Sequence, residues 1–323
     1  MLLSAAAVVA GLILLVWSAD RFIFGAAGLA RAAGISPLVV GMVIIGFGTS
    51  MPEVAVSTLA ALQDASGIAI GNAVGSNICN VALVIGISAI VRPIAVTSGV
   101  LRREIPITVA ASVLLVLLVI DGALTRIDGA VLAAGFVAML LWMLRTARTQ
   151  GDDPLLVEQQ AEMPPAIGSG RAIGWIAVGL PLLVGASQLL VWGAANIARE
   201  FGVSDLVIGL TIVAVGTSLP ELAASITGLL KGENDLAVGN ILGSNLFNIL
   251  FILLAPAFIA PGPIPDPMLL TRDLPVMVGL MLMLWATAVG LRGAPPGIQR
   301  VEGGLLLTVY GGYTLILALT AST

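Results

Sequence analysis

Residues 48–53, GTSMPE, place two hydroxyls, a helix-breaking proline and a glutamate deep in an apolar stretch. LVVGMVIIGF precedes them and VAVSTLAAL follows. The pattern returns at 216–221 as GTSLPE, an offset of 168 residues. The same offset carries Gly71 and Asn72 onto Gly239 and Asn240, Gly75, Ser76 and Asn77 onto Gly243, Ser244 and Asn245, and Asn80 onto Asn248. Without a gap, 36–80 matches 204–248 at 20 of 45 positions. Chance alignment of two apolar helices yields shared Leu, Ile, Val and Ala. Here the shared residues include Gly, Thr, Ser, Pro, Glu and Asn, so the chain contains a true internal repeat.

The surroundings of the repeat are those of a membrane protein. Hydrophobic residues make up 59% of the 323 and charged residues only 10%, against about a quarter charged in a soluble domain. Mean hydropathy is +1.10. A span needs roughly 20 apolar residues, and ten candidates lie at about 2–19, 37–62, 68–91, 104–120, 127–144, 172–192, 205–230, 236–259, 274–291 and 303–320. The runs lack the alternation of barrel strands, so the expected fold is an all-α bundle. The first segment lacks the positive n-region of a signal peptide and reads as a retained helix. One cysteine, Cys79, excludes an intramolecular disulfide and a cysteine-rich metal site. The absence of histidine removes the usual near-neutral proton carrier. No basic run points to nucleic acid.

Five spans per half is an odd number, so the second copy enters the membrane from the opposite side. The expectation is two inverted-topology repeats of five helices, 1–144 and 172–323, joined by a polar linker at 145–171. That is an architecture of secondary transporters, with the site near the midplane. Arginines set the orientation. Arg21, Arg31, Arg92, Arg102, Arg103, Arg145, Arg148, Arg171, Lys231, Arg292 and Arg300 fall on one side, and Arg126, Arg199 and Arg272 on the other. This bias places both termini outside and the linker in the cytoplasm.

Glu53 and Glu221 are the two acids expected well inside spans. An ionised group at the bilayer centre costs at least ~3 kcal/mol, so a cation, a proton or an aqueous cavity must offset it. The neighbours favour a cation. Thr49 and Glu53 are four apart and share a helix face, as do Ser76 and Asn80, Thr217 and Glu221, and Ser244 and Asn248. Hydroxyl, amide and carboxylate oxygens suit hard cations such as sodium and calcium. Pro52 and Pro220 lack the N–H that would bond the carbonyls of Gly48 and Gly216, which suggests broken helices with carbonyls facing a cavity. The glycines at 71, 75, 239 and 243 read as close-packing positions. Asn72, Asn77, Asn240 and Asn245 are expected to bond backbone at the breaks.

GTS-x-PE with GN-x-x-GSN, present twice, resembles the two alpha repeats of the cation/calcium antiporter superfamily, in its sodium/calcium exchanger branch. The resemblance is strong over 36–86 and 204–254. It implies an antiporter of calcium and sodium ions with no resident cofactor, acting in the bacterial cytoplasmic membrane as a monomer and not an enzyme. It implies ion ligands at Thr49, Ser50, Glu53, Ser76 and Asn80, with Thr217, Ser218, Glu221, Ser244 and Asn248, joined by carbonyls near Gly46 and Ala214. It also implies gating by the first and sixth helices. The best-known members carry aspartate where this chain has Asn248, so two carboxylates set a formal charge of −2 and the usual three-to-one stoichiometry is open. The proton/calcium branch carries a glutamate inside its Gly-Asn motif and resembles this chain less. A calcium/proton antiporter and a passive cation channel are the main rivals; a third, an intramembrane enzyme, would need a base for a Ser or Thr nucleophile, and no His or intramembrane Lys is available.

Overall fold

The computed structural model describes residues 2–33, 48–149, 153–161, 167–288 and 297–320. Its helices are α1 (Leu2–Ala32), α2 (Met51–Leu62), α3 (Ser66–Val91), α4 (Gly99–Leu118), α5 (Arg126–Thr149), α6 (Pro154–Ala161), α7 (Ser169–Phe201), α8 (205–217), α9 (Leu219–Lys231), α10 (Asn234–Ile259), α11 (Leu269–Ala288) and α12 (Arg300–Thr320). Eight segments among the described residues are helical, long and apolar enough to cross a membrane, with α8 and α9 counted as one. Of the two other expected spans, 37–62 lies partly outside the described residues, and 104–120 corresponds to α4.

Composition decides which helices are central. In α3 and α10, 78% and 72% of the span is buried, against 28% in α5 and 22% in α12. The central pair is rich in Gly, Ala, Ser and Asn, which let backbones approach, whereas α12 lies on the outside. At the crossing of α3 and α8 two glycines face each other. A Cβ on Gly71 would lie 2.5 Å from the Leu206 carbonyl, and one on Gly209 would lie 2.7 Å from that of Ile68. Gly75 meets Leu210 and Ala214 as closely, at 2.7 and 2.9 Å. The packing role expected for Gly71 and Gly75 therefore holds.

The helices α1 and α7 form an antiparallel pair along their length. Gly193 sits on Ser4, Gly11 on Leu190, Gly179 on Phe22 and Gly25 on Ala172. This pair touches the rest of the bundle at sensitive places: Leu12 packs on Gly216 and Ile23 on Gly48. α1 runs well past its expected end at 19. Asp20 and Arg21 pair on the helix at 3.5 Å, and the Arg21 guanidinium lies over the rings of Trp17 and Trp175. Arg21, beyond the expected end of the first span, is thus a helical residue whose charge is accommodated in place.

Two short antiparallel ladders tie the halves together, Ile94–Ala95 with Gly297–Ile298 and Ala123–Leu124 with Gly262–Pro263. At the start of α11, Asp273 is fully buried but saturated by Arg272 (2.7 and 3.1 Å) and by the Tyr313 hydroxyl (2.9 Å).

Part of the stretch read as a linker is helical and docked. Asp153 caps α6 by accepting from the Leu155 amide at 3.1 Å, and it also accepts from the Ser98 hydroxyl at 2.5 Å. Glu158 accepts from the Leu236 amide at 2.6 Å, at the first turn of α10. Burial pushes the Glu158 carboxyl up to about 7, with Asp235, Glu233 and Asp153 adding repulsion against the Leu236 hydrogen bond.

Two predictions follow from this packing. Gly71→Ala forces a methyl against the Leu206 carbonyl and should cost on the order of 1–3 kcal/mol. Gly311→Ala, where nothing lies within 4 Å, serves as the control. Thermal midpoints in detergent should fall for the first and not for the second, and equal midpoints would contradict the crossing. The second prediction concerns Glu158. Its docked value exceeds the ordinary 4.5, so the docked segment binds more protons. Docking weakens as pH rises from about 4.5 to about 7 and is constant above. Proteolysis around 153–161 should be faster at pH 8 than at pH 5, and Glu158→Gln should flatten the difference.

Candidate cation site

Two helix breaks build the site. Ser50 (φ −85°, ψ 7°) separates a single 3-10 turn at Gly48–Ser50 from α2, and Ser218 (φ −83°, ψ 2°) separates α8 from α9. The 168-residue repeat thus recurs as the same backbone conformation. Each break is followed within two residues by proline, whose missing N–H is tolerated at a helix start. Glu53 and Glu221 then fall in the first turns of α2 and α9, where the positive end of each helix favours an anion.

Ser-x-x-Glu is the pattern of a capping box, but no such box forms. The Ser50 hydroxyl instead crosses to the other half and donates to Glu221 Oε1 at 3.4 Å. Ser244 donates to the same oxygen at 3.2 Å. Glu53 is 1% exposed and Glu221 0%, yet Oε1 and Oε2 of Glu53 and Oε2 of Glu221 have no hydrogen-bond partner among the described residues. The Thr217 hydroxyl faces Glu53, but its one hydrogen is engaged by Asn72 Oδ1 or the Val213 carbonyl, both at 3.1 Å. The two carboxylates are near enough to repel each other.

The remaining polar groups pair across the halves in equivalent sets. Thr49 donates to Asn240 Oδ1 at 3.2 Å, as Thr217 does to Asn72. Thr49 meets Ser244 at 3.4 Å, and Ser76 meets Thr217 at 3.5 Å. Asn80 Nδ2 donates to Asn245 Oδ1, and Asn248 Nδ2 to Asn77 Oδ1, each at 3.0 Å. Both inner amides therefore spend their N–H on a partner and keep Oδ1 unpartnered and buried. The unpartnered oxygens of Glu53, Glu221, Asn80 and Asn248 are all buried within this one cross-half network. The Ser218 hydroxyl, also without a nitrogen or oxygen partner, faces the Cys79 thiol.

Of the twelve residues expected to carry the site, Gly46 lies outside the described residues. The Ala214 carbonyl accepts from Ser218 N at 3.1 Å and from Thr217 Oγ1 at 3.3 Å. The other ten line these networks. Asn72 bonds backbone as expected, at the Glu53 carbonyl (3.3 Å), and also Ser57 (2.9 Å). Asn77, Asn240 and Asn245 do not: Asn77 and Asn245 bond the side chains of Asn248 and Asn80, and Asn240 accepts from Thr49 while its Nδ2 has no partner among the described residues. Those cross-half bonds were missed, although the shared 168-residue offset was a signal for them. A cleft of about 490 Å³ between α1 and the breaks is lined by Trp17, Asp20, Ile23, Thr49, Pro220 and Ala224.

Comparison with known proteins places this geometry in a family. The family model described as sodium/calcium exchanger protein matches residues 3–145 and 171–319. The putative antiporter CaxA of Alkalimonas amylolytica is 49% identical over 98% of this chain and 99% of its own length. Inner membrane protein YrbG of Escherichia coli (strain K12) is 45% identical over 99% of this chain and 97% of its own. A solved structure of the sodium-calcium exchanger NCX_Mj, soaked with 2.5 mM Na+ and 0.1 mM Ca2+, superposes with a TM-score of 0.64 at 32% identity, covering 98% of both chains. The chain is an integral membrane protein and belongs to the sodium/calcium exchanger family.

Proposed function

We propose that this chain is a secondary active antiporter that exchanges calcium for sodium by alternating access. One observation carries the reading: the buried, unpartnered oxygens of Glu53, Glu221, Asn80 and Asn248. A buried carboxylate without donors is costly, and a hard cation is the partner that an all-oxygen set suits. Thr49, Ser50, Ser76, Thr217, Ser218 and Ser244 complete the cage. The carbonyls of Gly46 and Ala214 are its outermost members. The names of the relatives support ions as the substrates.

In this reading ten helices form two inverted repeats of five, with 145–171 between them. The arginine bias puts that segment in the cytoplasm and both termini outside, in a bacterial cytoplasmic membrane, with one chain sufficient for transport. The antiparallel pair α1 and α7 moves against the rest as the gate, since Leu12 and Ile23 rest on glycines at the two breaks. An unloaded cage holding two bare carboxylates resists passage through a closed state, and occupancy by cations removes that penalty. That condition couples the two fluxes.

The bare Glu53 carboxylate would also accept a proton, which makes calcium/proton exchange the second reading. Calcium-45 uptake into proteoliposomes separates the two. Uptake from sodium-loaded vesicles, absent from choline-loaded ones, is expected. Uptake driven by a proton gradient alone would establish the second reading, and equal uptake in all vesicles would indicate a channel. Glu53→Gln and Glu221→Gln should each abolish uptake while the protein remains monodisperse. Near-normal transport by either variant would remove the cage from the mechanism.

A further inference from the structure

Both outer asparagines end on sulfur. Asn77 Nδ2 donates to Met277 Sδ at 3.6 Å, and Asn245 Nδ2 to Met281 Sδ at 3.9 Å. The two methionines lie four apart on one face of α11 and are 0% and 1% exposed. A thioether accepts hydrogen bonds and has no hydrogen to give. An amide beside it must therefore turn its N–H toward the sulfur and its carbonyl away.

We propose that Met277 is a positioning residue of the cation site, setting which end of the Asn248 amide faces the ion; the proposal rests on the cation-cage reading above. The chain of bonds has one direction. Met277 Sδ takes the Asn77 N–H, so Asn77 Oδ1 is left to accept from Asn248 Nδ2 at 3.0 Å. Asn248 then has only Oδ1 to present, and that oxygen is buried and unpartnered. Reversing Asn77 would set oxygen against sulfur and N–H against N–H. The consequence for Asn248 would be an amide N–H aimed at a cation. Met281, Asn245 and Asn80 repeat the relay on the other side with a longer sulfur contact. The sulfurs thus supply polarity without adding charge, in a site whose formal charge is set by two glutamates alone.

A packing role and a polarity role predict opposite results from two substitutions of similar size. Met277→Leu keeps the volume and removes the acceptor. Met277→Gln keeps the length and restores an acceptor through its carbonyl oxygen. In proteoliposomes that take up calcium-45 against sodium, Met277→Leu should raise the half-saturating calcium concentration about tenfold, the usual scale for losing an outer-shell partner of a metal ligand. Met277→Gln should stay near the unsubstituted protein. Met277→Leu at the unsubstituted value overturns the proposal, as does equal impairment of both variants. If Met277→Gln fails to elute as a monodisperse protein, Met277→Leu and Met281→Leu decide alone. Both must weaken calcium, the first more than the second, and unchanged affinity in Met277→Leu refutes the relay. An unsubstituted protein without sodium-driven uptake would refute the antiport reading instead, so the two failures are distinct.

Discussion

Two carboxylates enclosed at membrane depth are the constraint on which the rest of the structure depends. Glu53 and Glu221 together bring a formal charge of −2 into a core where ionised groups are costly. The fold answers this partly with its own dipoles, because each glutamate sits in the first turn of a helix that restarts after a break. It answers partly with hydroxyls, two of which reach Glu221 Oε1. The remaining carboxylate oxygens meet no donor among the described residues. The protein stops short of neutralising its own site. A site fully satisfied by the protein would have no need of a cargo ion, and one with no support would not fold.

The site belongs to neither half alone. Ser50 serves Glu221, Thr49 serves Asn240, Asn80 meets Asn245 and Asn77 meets Asn248. Each bond crosses from one copy of the motif to the other. The close glycine crossing of α3 and α8 is what permits this reach, since larger residues there would hold the two helices apart. Packing and polarity are therefore coupled. The small residues bring the backbones together, and the short Ser, Thr and Asn side chains then span the gap directly.

Much of this was legible in the sequence. The repeat of GTS-x-PE and GN-x-x-GSN located the breaks, the glutamates and the inner asparagines, because Pro, Glu and Asn at membrane depth have few structural excuses. The packing of Gly71 and Gly75 was readable from their spacing. Three things were not. The length of α1 depended on Arg21 finding Trp175, a contact between residues more than 150 positions apart that no local pattern encodes. The docking of α6 depended on the free amides at the start of α10. The role of Met277 depended on which face of α11 meets α3, and a methionine in an apolar helix carries no signal of its own. Ser-x-x-Glu stands at both breaks yet forms no local cap, and at the first break tertiary pairing across the halves claims Ser50.

The central claim is that the unpartnered oxygens form the coordination shell of the transported cation. Anomalous diffraction from crystals soaked in strontium, a heavier stand-in for calcium, tests it most directly. The account predicts an anomalous peak bounded by the carboxylates of Glu53 and Glu221, with Oδ1 of Asn80 and Asn248 turned toward it. A peak elsewhere in the chain, or an ion-free core in which Glu53 and Glu221 share a proton at saturating strontium, would contradict it.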